Sequence, residues 1–195
     1  MTPAPIKTIR ILLPILLVCL FVQGQDSYEV SEEHPFGQAN PEAPQQIKDF
    51  EKLIGLCDCL SESRNQDKSW NAPVKMTWKF KYIMNGMGVQ DETIKEDNTY
   101  SGSIRQFDPD SKKWYVHYYS HPKISKQLSV WVGEKTEQGD IVLYKDSTAP
   151  NGTEGFYRLT FYDIADDGFK WVGEWTDTSE MIVYPTWKIS CKKRL

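Results

Sequence analysis

Several common signatures of catalysis are missing from this chain. It has no Gly-x-Ser-x-Gly, no His-Glu-x-x-His, no phosphate-cradling glycine loop and no Cys-x-x-Cys. Histidine is scarce, with three residues, so little imidazole is on hand for acid–base or metal chemistry. Four cysteines in 195 residues exclude a disulfide-dense miniprotein. A basic excess is lacking too. The balance is 23 Lys and Arg against 27 Asp and Glu, net −4, which argues against nucleic acid as a partner. Long apolar runs are absent after the first two dozen residues, so no membrane span is expected in the mature chain. What the chain does have is aromatic surface to bury: 7 Trp, 10 Tyr and 8 Phe, 13% of residues. The length and an apolar share of 39% suit one ordered domain.

Residues 1–24 read as an export signal. Lys7 and Arg10 supply the positive start, Ile11 to Val22 the apolar stretch, and Val22 and Gly24 the small residues before a cleavage site. The mature protein is therefore expected outside the cytoplasm, secreted or periplasmic. Removing Lys7 and Arg10 with the signal leaves 21 positive against 27 negative residues, net −6. The remaining cysteines are Cys57, Cys59 and Cys191.

Residues 25–40 are polar and acidic, and read as a mobile tail; 41–195 form the folded domain. Asn40-Pro41-Glu42 looks like a helix start, with Ile47, Phe50, Leu53 and Ile54 on one face and Gly55 as the stop. Beyond residue 55 the period changes to two. Met76, Trp78, Phe80 and Tyr82 alternate with Lys75, Thr77, Lys79 and Lys81, and Asn85-Gly86 follows as a hairpin turn. That turn sets Tyr82 opposite Val89 and Phe80 opposite Asp91. Strands are expected near 56–62, 73–84, 87–95, 100–107, 112–119, 126–134, 140–146, 155–163, 169–176 and 181–192. Ten strands with no helix between them exclude a parallel sheet. Short sequential hairpins favour an all-β antiparallel up-and-down barrel with a short N-terminal helix, because closure removes exposed strand edges.

The order of several weak motifs adds a resemblance. Asn40 to Pro44 with Leu53 to Cys59, Asn85 to Asp91, Arg105 to Pro109 with Trp114, and Phe161 to Ile164 with Phe169 to Glu174 cover most of residues 40–176. Together they resemble an uncharacterised, mostly bacterial family of calycin-like barrels. The resemblance implies a barrel related to the lipocalin and fatty-acid-binding groups, whose members carry small apolar ligands. Calycins often begin with Gly-x-Trp on the first strand; this chain has Gly55-Leu56-Cys57.

Cys57 and Cys59 share one face of the first strand, and Cys191 lies on the last. A barrel brings those strands together, so a bridge from Cys191 to Cys59, or to Cys57, would staple the seam. No metal and no cofactor are expected. The cysteines lack a four-ligand set. His117 and His121 are four apart, but Ser120 and Pro122 suggest that the strand has ended by then. Asp163, Asp167, Gly168 and Glu174 fit a calcium loop only until Ala165 falls at its third position. Asn151-Gly152-Thr153 fits a glycan acceptor and is also an ordinary turn.

A ten-strand barrel is wide enough to enclose a ligand. The expected lining is Trp78, Tyr82, Trp131, Trp171 and Trp187, with His117 either on a wall or facing solvent. Asp91, Arg105, Arg158 and Glu174 are the charges placed among apolar neighbours. The two arginines would either orient a ligand carboxylate or pair with the two acids. The leading expectation is an exported, monomeric barrel holding a small amphipathic or hydrophobic molecule. The alternatives are a barrel enzyme using Asp91 or Glu174 as general acid or base, and a non-catalytic envelope module.

Overall fold

The computed structural model describes residues 27–194. The expected export signal lies outside the described residues. Ten strands run β1 (Gly55–Ser63), β2 (Val74–Ile83), β3 (Gly88–Lys95), β4 (Tyr100–Asp108), β5 (Lys113–His121), β6 (Ser129–Lys135), β7 (Ile141–Thr148), β8 (Glu154–Ala165), β9 (Gly168–Asp177) and β10 (Val183–Lys193). Each pairs antiparallel with its neighbours in sequence, and β1 pairs with β10 to close the barrel. Closure satisfies the backbone groups that an open sheet would leave at its edges.

The first hairpin holds the register that the Asn85-Gly86 turn demands, with Phe80 opposite Asp91 and Tyr82 opposite Val89. Asn85 and Gly86 both take left-handed backbone angles, φ 52° and 78°. Gly86 also has no room for a side chain. A Cβ there would stand 2.4 Å from the Gln38 carbonyl oxygen and 2.5 Å from the Asn40 nitrogen. These neighbours belong to the segment expected to be a mobile tail, and here the expectation is corrected. The segment docks on the hairpin. Tyr82 donates its backbone N–H to the Phe36 carbonyl at 2.8 Å, Gln38 to that of Tyr28 at 2.9 Å, and Asn40 to that of Gly86 at 3.2 Å. Polar composition suggested mobility, but every bond that docks the segment uses a backbone group at one end or both, partnered in part by the side chains of Glu29, Asn40 and Asn85, and composition does not reveal such pairing.

The helix also differs from expectation. It spans Gln45–Leu53 and is 3₁₀ in geometry. Asn40 does not cap it. Its side-chain oxygen accepts the Glu42 N–H at 2.9 Å and shapes a turn four residues upstream. Pro44, with extended backbone, stands immediately before the helix. A second proline disfavours helical geometry at Ala43, so the helix starts after it. Ile47, Phe50 and Leu53 are buried at a spacing of three, which is the period that puts them in one row of a 3₁₀ helix.

That row plugs one end of the barrel. The Phe50 ring meets Trp114 edge-on at 4.9 Å and Phe161 at 6.1 Å. Trp114 donates its indole N–H to Asp49 at 3.0 Å. This end therefore closes on Phe50 and Trp114, with no Trp needed on β1. At the seam, Cys59 and Cys191 are direct cross-strand partners and form a disulfide, with Cα atoms 4.1 Å apart. Among the described residues Cys57 is the free, buried thiol.

Candidate functional site

Strand alternation puts Asp91, Thr93 and Lys95 of β3 on the inner face. Ser103 of β4 sits directly opposite Asp91, and Arg105 is two residues further along the same face. The result is a buried polar cluster. Arg105 is 2% exposed and Asp91 4%. Asp91 Oδ2 accepts the Trp78 indole N–H at 2.6 Å, while Oδ1 accepts from Ser103 Oγ and Arg105 Nη1. The Arg105 guanidinium lies 5.0 Å from the ring centres of both Phe50 and Phe80. Charge is thus neutralised inside the barrel, and the aromatic faces hold the cation in place. Arg105 Nε is buried without a hydrogen-bond partner.

Above the cluster, away from the helix, lies a cavity of about 260 Å³. Trp78, Trp131, Phe161, Trp171 and Trp187 give it aromatic walls, with Leu143, Leu159 and Ile189 between them. Its polar groups are Asp91, Thr93, Lys95, Ser101, Ser103 and Arg105, with Tyr118 and Tyr157. Thr93 and Ser101 satisfy each other at 2.6 Å. Trp131 Nε1 is buried and without a partner.

The end opposite the helix carries two cations stacked on indoles. Lys95, the last residue of β3, places Nζ 4.4 Å from the centre of Trp187. Lys145 of β7 stands 4.4 Å from the centre of Trp131. Burial holds the Lys95 ammonium below its usual pKa, against the opposing pull of Asp97. Exposed apolar side chains stand on the loops at this end, among them Ile124 on β5–β6 and Met181 and Ile182 on β9–β10.

Of the residues singled out from sequence, Trp78, Asp91, Arg105, Trp131, Trp171 and Trp187 line this one cavity. Four do not. Tyr82 is on the inner face but lies at the helix end. Burial, with nearby Glu51, pushes its phenol up to about 12. His117 faces outward, because its neighbours Val116 and Tyr118 line the cavity. β5 does run to His121, further than the turn residues suggested. Among the described residues no group of three His, Cys, Asp or Glu side chains is placed to hold a metal.

Arg158 and Glu174 are corrected most. Tyr157 and Leu159 face the cavity, so Arg158 and its cross-strand partner Glu174 lie on the outer face. There Arg158 donates twice to Glu174 Oε2, at 2.6 and 3.1 Å, and once to Glu180. Tyr144 donates to Glu180 at 3.3 Å. This network ties β7, β8 and β9 to the β9–β10 loop outside the barrel, and neither group reaches a ligand within. Sequence reading missed Lys95 and Tyr157. Lys95 was legible: two more steps of the Phe80–Asp91 register place it inside.

No protein-family model matches the chain, and no curated protein matches it at a significant level. Solved structures do. Rv2717c from M. tuberculosis superposes with a TM-score of 0.53 at 9% identity, over 79% of this chain and 100% of that one. The S-type phycobiliprotein lyase CPES from Guillardia theta superposes with a TM-score of 0.47 at 10% identity, over 75% of this chain and 90% of that one. The likeness to Rv2717c is one of fold alone.

Proposed function

We propose that this protein is an exported binding protein that holds a small amphipathic or hydrophobic molecule in its barrel. One observation carries the reading: the cavity of about 260 Å³ is walled largely by aromatic side chains and has a charge-neutral Asp91–Arg105 ion pair at its base. Such a space rewards an apolar body and offers few fixed polar contacts. Its volume lies just below the roughly 300–1,000 Å³ of typical ligand pockets, which favours a small ligand over a large ring system. The order of motifs along residues 40–176 supports kinship with the uncharacterised bacterial calycin-like family. Monomeric behaviour fits a barrel whose strand edges are all paired.

A fluorescent fatty acid titrated into the folded protein tests the reading. Saturable binding with enhanced emission, and displacement by unlabelled amphipaths, is the expected result. No binding to a broad panel of amphipathic probes would remove the carrier reading. Export is a separate part of the proposal, supported by the Cys59–Cys191 bridge, since disulfides persist in oxidising compartments. Sequencing the N-terminus of protein from its own host should begin near Gln25. Recovery of Met1 from a soluble cytoplasmic fraction would count against it.

A further inference from the structure

The amphipathic ligand proposed above has two ends, and the cavity is electrically asymmetric. At its base Arg105 Nη1 is paired with Asp91, whose carboxylate also accepts from Trp78 and Ser103. A ligand anion placed there would stand beside a buried carboxylate that already balances the guanidinium, and would be repelled by it. At the other end stand Lys95 and Lys145. Among the described residues no carboxylate oxygen lies within ion-pair distance of either ammonium. Asp97, the acid nearest Lys95 in sequence, is turned to the Thr99 backbone N–H at 3.0 Å. Both ammoniums instead rest on the faces of cavity-lining indoles, Trp187 and Trp131. A cation stacked on an aromatic wall keeps its free N–H groups for an incoming acceptor.

We propose that the cavity takes an acid-headed amphipath, tail inward against Trp78 and Phe161, with its carboxylate held at the mouth by Lys95 and Lys145. This inference rests on the carrier reading, and the test separates the two. Dodecanoate and dodecanol share a tail and differ in the head. Their affinities are measured by displacement of a neutral fluorescent probe from wild type, Lys95→Met, Lys95→Gln and the double variant Lys95→Met with Lys145→Met.

The readout is the acid-to-alcohol affinity ratio within each protein, so a general loss of packing cancels. Wild type is expected to favour the acid by about tenfold, in line with the worth of a hydrogen bond to a charged group. Either single change at Lys95 should cut the ratio to about threefold, and the double variant should abolish it. Equal affinity of wild type for acid and alcohol would overturn the head-group assignment and leave the apolar cavity standing. A ratio that survives in the double variant would overturn it as well. If neither compound displaces the probe, the carrier reading falls and takes this inference with it.

Discussion

Replacing Arg105 with methionine should cost the fold about 3–5 kcal/mol, the usual penalty for breaking a buried pair from one side. Methionine keeps most of the apolar stem between Phe50 and Phe80, so lost packing is a small part of the effect. The large part is Asp91. Its carboxylate stays buried, keeps the Trp78 and Ser103 donors and loses its only counter-charge among the described residues. Asp91→Leu should cost a similar amount, by stranding the guanidinium. The double variant Asp91→Leu with Arg105→Met should recover much of the loss, since apolar replacement of a whole buried pair is often neutral or better. Denaturant melts of the four proteins close the cycle. Single-variant losses below about 1 kcal/mol would show that the pair is not held as described. Arg158→Met should cost less, because its side chain is 20% exposed and one of the two carboxylates it leaves, Glu180, is open to water.

The contrast between the two arginines shows what the sequence could reveal. Both sit mid-strand among aromatics, and by sequence both are candidates for the lumen. For Arg105 a turn settles the face: Asn85-Gly86 fixes β2 against β3, Trp78 and Phe80 fix which side is inner, and the short β3–β4 connection carries the register onward. For Arg158 nothing local decides. One face of β8 carries Tyr157, Leu159 and Phe161, the other Phe156, Arg158, Thr160 and Tyr162, and aromatics stand on both. The outer set is sheltered by Tyr144 and by Glu180 on the β9–β10 loop, a tertiary arrangement that alternation cannot see. The strand count was legible because turn residues act locally, and the seam because cysteines fall on the first and last strands. The docking of residues 28–40 was not, since its backbone hydrogen bonds leave no mark on composition.

Removing the seam disulfide, by reduction or by Cys59→Ser with Cys191→Ser, should destabilise the protein by about 2–5 kcal/mol and lower Tm by roughly 5–15 °C. The magnitude follows from topology. Nine of the ten strand pairings join neighbours in sequence, so their loops close cheaply. The tenth, β1 with β10, must bring together residues 132 apart, and the bridge makes that closure permanent in the unfolded chain. Chain entropy alone sets an upper figure of about 5 kcal/mol for a loop of this size. Cys57 supplies an internal control. It is two residues from Cys59 on the same buried face, and burial pushes its thiol up to about 11. At pH 8 it should resist alkylation in the folded protein and react once the chain is unfolded. Intact mass before and after reduction should differ by two hydrogens, with one thiol titrated in the unreduced, unfolded mature chain. Three titratable thiols in natively exported protein, or an unchanged Tm on reduction, would refute the staple.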